Sequence, residues 1–367
     1  MQFYMPTELI TGEGCVTGNA QKLARYGKRC LIVTGGSAAA RSGALQDVEE
    51  ALRSQEISFT HYAGIEQNPT LASCEEGGRL AYEAGADFVL GIGGGSPLDA
   101  AKAISVFAAN PGMTEQVFYS AEWDHAPLPI VLIGTTAGTG SEVTSVSVLT
   151  DSKGKKHSIH DRRIYAALAM SDARYTMTLP RAATLSTGID ALCHCIESYF
   201  SRKADPFSRL FSVRGIRLGL PVLQQVADAS PDSMPTLQQR ETLYQVSIFG
   251  GMAINPTGTV FPHNVGYYLT ERYRIPHGFA CATFLPELLT HVKEQAPALC
   301  GAFYEACGTS EEELVNLAKK VVPVQGIRLS EDEIRTALPR WENNGTVRNT
   351  VGTVTTEQIA EMLRKGF

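Results

Sequence analysis

The sequence predicts an α/β domain followed by an all-helical domain, with the boundary between residues 179 and 180. In the first half, short β-rich runs alternate with helical stretches, which is typical of a parallel sheet with helices on both faces. After Pro180, long helical patterns dominate and strand-like runs almost vanish. A length of 367 residues is also enough for about two domains, each with its own core.

Short apolar runs mark the strands of the α/β domain, and helical spacing marks the segments between them. The predicted strands are CLIVTGG, ISFTHYAG, DFVLGIG, PIVLIGTT, VTSVSVLTD and RIYAALAMSD. The predicted helices are ALQDVEEALRSQ, LASCEEGGRLAYEAGA and SPLDAAKAISVFAAN. In the last of these helices, Ser96 is placed as the N-cap and Pro97 at the first helical position.

The all-helical domain is predicted from four long stretches with helical spacing. These stretches are RAATLSTGIDALCHCIESYFS, PFSRLFSVRGIRLGLPVLQQVAD, QQRETLYQVSIFGGMAI and EEELVNLAKKVV. The sequence shows no internal repeat and no low-complexity segment, so two ordinary globular domains are the simplest interpretation.

Composition and charge argue against several classes of protein. The net charge of -6 leaves no basic surplus to neutralise the phosphates of a nucleic acid or an anionic membrane. No apolar run approaches the roughly 20 residues of a membrane span, and the first residues lack the pattern of a signal peptide. The eight cysteines are scattered without a CxxC pair, so we expect reduced thiols in a cytoplasmic protein. The basic run Lys153–Arg163 is expected to be a loop that contains one functional lysine.

Two glycine-containing runs follow predicted strands. Gly93–Gly95 opens a helix, and glycine lets a ligand approach the backbone closely while the helix amides face an anion. This run matches neither GxGxxG nor a P-loop, so its alternatives are a phosphate site, which we favour, and a tight structural turn. Gly134–Thr144 supplies hydroxyl groups that could line the same cleft, or it is an ordinary polar loop. The hydroxyl groups belong to Thr135, Thr136, Thr139 and Ser141.

The stretch GIDALCHCIES combines an acid, a histidine and two cysteines. Asp190 and His194 are four residues apart, which places them on one face of a helix. Cys193 and Cys195 need not share that face, and we interpret them as packing residues. His263 and His277 are buried core histidines or, together with the first pair, a divalent-metal site of three imidazoles and one carboxylate.

Four blocks in this order resemble the signature blocks of the iron-containing (group III) alcohol dehydrogenase family. The blocks are GGGSPLDAAK, TTAGTGSEVT, TGIDALCHCIESY and PHNVGYYLTERYRIPHG. The resemblance implies a Rossmann-like dinucleotide-binding domain over residues 1–179 and an all-helical metal-binding and substrate domain over residues 180–367. This fold is also that of dehydroquinate synthase, and in it the nicotinamide and the metal meet between the two domains.

The resemblance also implies the site residues. The implied metal ligands are Asp190, His194, His263 and His277. The implied cofactor contacts are Gly94, Gly95, Ser96, Asp99, Thr135, Thr136, Thr139, Ser141 and, at the nicotinamide ribose, Lys156. Because relatives such as the maleylacetate reductases work without metal, the complete ligand set favours the metal-dependent branch.

The segment after the first strand predicts which nicotinamide cofactor is used. In NAD-specific family members an acidic residue commonly follows this strand and binds the ribose hydroxyls. This chain has Gly35, Gly36 and Ser37 there, with Arg41 one turn further on. Small residues, a hydroxyl group and helix-start amides suit a 2′-phosphate, so we predict a preference for NADP(H).

The implied chemistry is reversible hydride transfer between the nicotinamide and a small alcohol or aldehyde whose oxygen is bound to a divalent metal. Resemblance favours Fe(II), with zinc second. Tyr267 occupies a position where many members have a second histidine for the proton relay. We therefore expect a relay through the substrate oxygen, the cofactor ribose and Lys156. The enzyme is expected to be a homo-oligomer, namely a dimer.

Two rival interpretations use the same fold. A lyase similar to dehydroquinate synthase, or a zinc enzyme similar to glycerol dehydrogenase, also binds a dinucleotide and a metal. The basic phosphate-binding cluster of the lyase is not evident in the sequence. An inactive binding protein is the other rival, and the complete glycine and ligand sets argue against it.

Overall fold

A six-stranded parallel sheet forms the centre of the first unit, Tyr4–Leu179. The structure is a computed structural model, and it describes residues 3–323 and 326–366. The strands of this unit are β1 (Glu8–Thr11), β2 (Arg29–Thr34), β3 (Ser58–Tyr62), β4 (Phe88–Gly93), β5 (Ile130–Gly134), β6 (Val146–Thr150), β7 (Lys156–His160) and β8 (Leu168–Ser171). The sheet order is β1-β8-β5-β4-β2-β3, and every neighbouring pair is parallel. The α/β fold class predicted for the first half is confirmed.

Helices cover both faces of this sheet. They are α1 (Cys15–Gly18), α2 (Ala38–Arg41), α3 (Ala44–Ser54), α4 (Leu71–Glu83), α5 (Gly95–Ala109) and α6 (Glu115–Ser120), with 3₁₀ turns at Ala20–Arg25, Ser141–Val143, Arg162–Ile164 and Ala173–Thr176. On one face, Leu31 and Val33 of β2 join Ile104 of α5 in an apolar cluster. On the other face, Ile32 joins Val48 of α3. Burial on both faces explains why the strands read as continuous apolar runs.

The order of the strands sets where a ligand can bind. From β2 the chain moves outward to β3 and then returns to the opposite side of β2 as β4, so the direction of winding reverses between β2 and β4. In open α/β sheets, ligands bind at such a switch point, beside the carboxyl ends of the strands. The loops after β2, β4 and β5 start at this edge because these strands are neighbours.

An antiparallel hairpin of β6 and β7 replaces part of a predicted loop. The prediction of a loop over Lys153–Arg163 is wrong for Lys156–His160, which form β7. Asp151 holds the turn, because its carboxylate accepts hydrogen bonds from the backbone N–H groups of Lys153 and Lys155 at 2.9 Å each. β7 buries only one of its five residues, so hydropathy carries little signal and pairing with β6 defines the strand.

The helix after the first glycine turn begins earlier than predicted. α5 starts at Gly95 with Gly94 as N-cap, and no side chain caps it. The placement of Ser96 as N-cap and of Pro97 at the first helical position is therefore wrong. The Ser96 hydroxyl instead accepts a hydrogen bond from the backbone N–H of Asn68 at 3.3 Å. Without a side-chain cap, the first amides of α5 remain suited to an anion.

The second unit consists of the chain from Pro180 onward together with Phe3, and it is helical. Its helices are α7 (Arg181–Tyr199), α8 (Pro206–Asp228), α9 (Leu237–Thr257), α10 (Phe261–Tyr273), α11 (His277–Ala282), α12 (Leu285–Gln295), α13 (Pro297–Cys307), α14 (Glu311–Val321), α15 (Glu331–Ala337), α16 (Gly345–Arg348) and α17 (Thr356–Lys365), with a 3₁₀ turn at Leu338–Arg340. α7 packs against α8, α9 and α11. None of the described helices has both the length and the apolar composition that a membrane span requires. The helical fold class of the second half is confirmed.

Candidate functional site

The four predicted metal ligands come from three helices of the second unit. Asp190 and His194 lie one turn apart on α7, His263 lies in the first turn of α10, and His277 is the first residue of α11. Pro276 precedes α11 in an extended conformation, with ψ of 135°. The two distant histidines therefore reach the site from separate helices, as their spacing of fourteen residues requires.

The histidines converge on the carboxylate of Asp190. Its Oδ1 atom lies 3.4 Å from His263 Nε2 and 3.9 Å from the Nε2 atoms of His194 and His277. Ligand atoms that share one tetrahedral ion at about 2.1 Å are about 3.4 Å apart. The separation of Asp190 and His263 is thus that of two ligands on one ion. Asp190, His194 and His263 are at most 5% exposed.

A glycine allows α11 to approach α7 closely enough to place His277. A Cβ atom on Gly278 would lie 1.8 Å from the carbonyl oxygen of Ser186 and 2.9 Å from Cβ of Asp190. A clash with backbone cannot be relieved by a side-chain rotation, so any larger residue would push the two helices apart. The glycine after His277 is therefore part of what positions this histidine.

Two buried atoms of this group have the character of ligand atoms. Asp190 Oδ1 and His263 Nε2 make no hydrogen bond to any residue that the structure describes, although buried polar atoms nearly always have a partner. Burial alone would raise the pKa of Asp190, but the charges of the neighbouring histidines outweigh burial and lower that pKa. An ionised carboxylate among imidazoles fits a divalent cation such as Fe(II) or Zn(II). The residues present fit the metal that the resemblance implies.

Glu197, which the sequence reasoning missed, lies behind His263. It is fully buried, and its Oε1 atom is 2.5 Å from His263 Nδ1. Burial alone would lower the pKa of His263, but its interactions with Cys281, Glu197 and Asp190 raise that pKa well above its usual range. Glu197 follows Asp190 by seven residues, or two helical turns, so helical spacing was the signal that could have found it.

Cys281 is the thiol at this site, rather than Cys193 or Cys195. Its Sγ atom lies 3.6 Å from His277 Nε2. The residues whose donor atoms all lie within 4.8 Å of one another are Asp190, His263, His277 and Cys281. Burial raises the pKa of Cys281 to about 11. Cys193 and Cys195 are fully buried in the core of the unit, and burial raises their pKa values as well.

Tyr267 lies beside a candidate metal ligand. It follows His263 by one turn on α10, and its ring stacks on His277 with centroids 5.1 Å apart and planes 9° apart. His277 is the most exposed of the four predicted ligands, with 30% of its side chain accessible. The stacked phenol ring restricts the orientation of this imidazole.

The two predicted cofactor loops after β4 and β5 contact each other. A Cβ atom on Gly94 would lie 3.1 Å from Thr136 Oγ1, and one on Gly95 would lie 2.8 Å from Thr139 Cγ2. Gly94, Gly95, Ser96, Thr136 and Thr139 are all half-buried. The glycines therefore let backbone and short hydroxyl side chains share a space that larger residues would fill.

The segment after β2 reaches the same edge of the sheet. A Cβ atom on Gly35 would lie 3.2 Å from Cγ of Pro97 in α5. Gly36 has φ of 49°, in the left-handed region, and is exposed together with Ser37 and Arg41. Three predicted cofactor segments thus meet at the switch point between β2 and β4.

Asp99 and Ser141 are engaged with the protein itself. The Ser141 hydroxyl donates to Asp99 Oδ1 at 2.6 Å, and the backbone N–H of Val148 donates to Asp99 Oδ2 at 3.0 Å. Lys102, which is fully buried, donates from Nζ to the carbonyl oxygens of Ser141 and Val146 at 2.8 Å and 2.7 Å. Sequence reasoning missed Lys102, although it follows Asp99 by one helical turn. The Lys102 side chain therefore connects the second cofactor loop to α5.

Thr135 and Lys156 complete the predicted cofactor set. Thr135 is 2% exposed, and its backbone N–H donates to the carbonyl oxygen of Gly93 at 2.8 Å, which ties the two loops together. Lys156 is half-buried at the start of β7, where it pairs with Thr150 of β6. The functional lysine expected in the basic run therefore lies on a hairpin strand.

Two family models match most of the chain. The model for iron-containing alcohol dehydrogenase matches residues 6–173, and the model for the C-terminal region of the Fe-containing alcohol dehydrogenase family matches residues 184–324. Both matches follow the order of the two units described above.

Individual proteins and solved structures are similar to the chain over most of its length. Alcohol dehydrogenase 4 from Schizosaccharomyces pombe is 31% identical over 335 residues, which cover 88% of this chain and 77% of the yeast protein. The 1,3-propanediol dehydrogenase of Klebsiella pneumoniae is 33% identical over 292 residues, which cover 78% and 72% of the two chains. The crystal structure of an iron-containing alcohol dehydrogenase from Thermotoga maritima has a TM-score of 0.91 at 33% identity and covers 99% of this chain and 98% of its own.

Proposed function

The chain belongs to the iron-containing alcohol dehydrogenase family and is an oxidoreductase of alcohols and aldehydes, and from this premise we propose that it is a metal-dependent, NADP(H)-preferring alcohol dehydrogenase or aldehyde reductase. The substrates are small alcohols or aldehydes. The preferred metal is Fe(II), with zinc second. The reaction is reversible hydride transfer between the substrate carbon and the nicotinamide.

One observation carries the proposal. Asp190 Oδ1 and His263 Nε2 are buried 3.4 Å apart without hydrogen bonds to described residues, and the Nε2 atoms of His194 and His277 lie 3.9 Å from the same oxygen. Leaving such atoms without partners costs free energy in the metal-free protein. A divalent ion held by these four residues removes that cost.

Each part of the metal centre has a role in this proposal. When bound, the metal supplies a Lewis acid that lowers the pKa of the alcohol, and the nicotinamide supplies the hydride acceptor. Asp190 contributes the one anionic ligand, and the histidines contribute neutral nitrogen atoms. Tyr267 holds the ring plane of His277 by stacking. The burial of Asp190, His194 and His263 keeps water away from the ligand atoms.

We propose that some residues of the cofactor site contact the cofactor and that others support the loop from inside. Gly94, Gly95 and Ser96, at the uncapped start of α5, bind the pyrophosphate through backbone amides. The hydroxyl groups of the second loop line the same site, and they belong to Thr136 and Thr139, with Thr135 buried beneath them. Asp99 and Ser141 support the loop from inside, because their polar atoms bind each other and Lys102.

The preference for NADP(H) rests on Gly35, Gly36 and Ser37. No carboxylate follows β2 in this segment, so nothing in it repels a 2′-phosphate, and the exposed Arg41 adds a positive charge nearby. In the variant Ser37→Asp we expect the ratio of kcat/KM for NADPH to that for NADH to fall at least about tenfold, the effect of about 1.4 kcal/mol of charge repulsion. Arg41→Ala should weaken the binding of NADPH and leave the binding of NADH unchanged. A wild-type enzyme that favours NADH would contradict the preference.

The proton route is proposed to use Lys156 rather than Tyr267. The ring of Tyr267 stacks on His277, and the proposed route runs instead from the substrate oxygen through the cofactor ribose to Lys156. We expect Lys156→Ala to change the pH profile of kcat, while Tyr267→Phe, which keeps the stacked ring, changes it little. An unchanged profile in Lys156→Ala would exclude this route.

The central experiment is an anaerobic assay of the metal-free protein after reconstitution with Fe(II) or Zn(II). Short alcohols and aldehydes are tested as a panel with both nicotinamides, and cofactor turnover is followed by absorbance. We expect activity only after metal addition and higher activity with Fe(II). Full turnover by the metal-free protein would refute the metal role. Absence of net NAD(P)H turnover with the whole panel would favour the lyase alternative.

We also propose that the enzyme is cytoplasmic and that it forms a homodimer. All eight cysteines are buried and unpaired, which supports a reducing compartment such as the cytoplasm. We propose a homodimer, and light scattering of the purified protein tests it by the molar mass. A monomeric mass of 39.6 kDa at micromolar concentration would contradict the dimer.

A further inference from the structure

Glu197 extends the face of α7 that carries two of the metal ligands. Asp190, His194 and Glu197 stand at positions i, i+4 and i+7, so all three side chains project from the same side of the helix. Glu197 is 0% exposed, and both of its carboxylate oxygens are engaged. Oε1 lies 2.5 Å from His263 Nδ1, and Oε2 accepts a hydrogen bond from the backbone N–H of Val260 at 2.9 Å.

We propose that Glu197 is a positioning residue of the metal centre, which holds His263 as the Nδ1–H tautomer and directs its Nε2 atom at the ion. The inference rests on the proposed function in one respect, namely that the four-residue site binds a divalent metal. It adds a residue that does not touch the ion or the substrate and that acts through His263.

The tautomer follows from the chemistry of the two groups. Glu197 Oε2 already accepts from Val260, and a carboxylate accepts hydrogen bonds through both oxygens, so in the proposed arrangement His263 donates from Nδ1–H across the 2.5 Å contact with Oε1. Metal binding displaces any proton from Nε2, so in the metal-bound form the imidazole is neutral and offers its Nε2 lone pair to the ion. That atom is the one that lies 3.4 Å from Asp190 Oδ1 and has no hydrogen bond to a described residue. The opposite tautomer would set two acceptors against each other in a buried site.

The second oxygen of Glu197 places the backbone that carries His263. Val260 is the N-cap of α10, and His263 is the third residue of that helix. One side chain therefore fixes both the start of α10 relative to α7 and the ring orientation of the ligand. A carboxylate behind a metal-binding histidine also makes the imidazole a stronger ligand, and loss of such a partner weakens metal binding by about 10- to 100-fold.

The first test is the affinity of Glu197→Gln for Zn(II), measured on the metal-free protein by competition with a chromophoric chelator. Glutamine keeps the volume but has only one acceptor oxygen, so it cannot accept from both His263 and Val260. We expect the dissociation constant to rise by about 10- to 100-fold. Glu287→Gln, at a half-buried glutamate of α12, is the matched control and should bind zinc as the wild type does. An unchanged zinc affinity in a folded Glu197→Gln variant overturns the inference.

The second test measures the wild-type protein and does not depend on the folding of Glu197→Gln. Long-range ¹H–¹⁵N correlation spectra of the zinc-loaded protein report which nitrogen of each histidine carries the proton, with His263 assigned by the signal lost in His263→Asn. We expect Nδ1–H at His263, and Nε2–H would overturn the inference. Failure of the proposed function looks different, because the wild type itself would then bind no zinc or iron and show no hydride transfer.

Discussion

In the first unit the predicted cofactor site consists of backbone and small side chains at the ends of three neighbouring strands, whereas the candidate metal centre of the second unit consists of ionisable side chains from three helices. Adding one methyl group at Gly95 would crowd the first site, since its Cβ would lie 2.8 Å from Thr139 Cγ2. Removing one group from Asp190 would disable the second site, since three histidines face its Oδ1 atom. The two sites should therefore fail in opposite ways, one through added volume and the other through lost charge.

The largest effect is expected for Asp190→Ala. Loss of the anionic ligand removes the metal and with it several kcal/mol of transition-state stabilisation, so kcat/KM should fall by at least about 10³-fold. Steady-state kinetics after metal reconstitution measure this loss. Asp205→Ala is the matched control, because Asp205 only caps α8 and its loss should cost about 1 kcal/mol of stability without loss of kcat. Near wild-type activity in Asp190→Ala would contradict the role of Asp190 as an essential metal ligand.

The next effect concerns Lys102, the fully buried lysine of α5 that donates to the second cofactor loop. In Lys102→Met the oxygens of Ser141 and Val146 lose their donor and Asp99 loses its counter-charge, so we expect a loss of about 3 kcal/mol in the free energy of unfolding. Urea denaturation monitored by circular dichroism measures it. Lys28→Met, at an exposed lysine of the same unit, should change stability by less than about 0.5 kcal/mol. Equal stability of both variants would mean that the hydrogen bonds of Lys102 do not stabilise the second cofactor loop.

A smaller effect is expected when volume is added to the cofactor site. Gly95→Ala should raise the dissociation constant of the preferred nicotinamide by about tenfold, since overpacking costs about 1–3 kcal/mol. Thr139→Ser removes the methyl group that a Cβ at Gly95 would meet, so the double variant should recover part of the affinity. Gly18→Ala, where no atom lies within 4 Å of the added Cβ, is the control. Wild-type affinity of Gly95→Ala for the nicotinamide would show that the two cofactor loops shift to accommodate the added methyl group.

The smallest effect is a pH dependence outside the metal centre. Burial lowers the pKa of His61 in the first unit and of His291 in the second. The unfolded state then binds more protons than the folded state, so stability is complete above the unfolded pKa of about 6.5 and falls as the pH drops towards the folded value. In His291→Gln, which can still donate to the carbonyl oxygen of Val351, the loss of stability between pH 7.5 and 5.5 should be smaller. Urea unfolding of the metal-free protein measures it, and an equal loss in both proteins would contradict the assignment.

Most of the fold could be predicted because its signals are local. The apolar run of β4 and the helical spacing of α7 are visible within a few residues, and both elements are where the sequence predicts them. β7 and the start of α5 are not. The strand β7 is polar and exists through pairing with β6, and α5 begins at glycines that lack a capping side chain. In both places tertiary contacts decide what local propensity leaves open.

In the candidate site, too, local spacing predicts some contacts and tertiary packing determines the others. Helical spacing alone pairs Asp190 with His194. The residue types offered His263 and His277 as further ligands or as core histidines, and the resemblance to a known family decided between the two. Spacing also offered Cys193 and Cys195 as neighbours of the site, whereas Cys281 is the thiol that lies beside His277. A single helix determines which residues share a face, and it does not determine which other helix packs against that face.

The sequence by itself determined which groups are available and at which spacing, namely glycines after strands, an acid and a histidine one turn apart, and two further histidines. Only the tertiary structure decided that Glu197 meets His263, 66 residues away, and that Lys102 meets Ser141, 39 residues away. Periodicity is a property of neighbouring residues, so it predicts faces and ends of elements. Contacts between distant residues depend on how whole helices and strands pack, and close approaches such as that of Gly278 to Ser186 determine this packing.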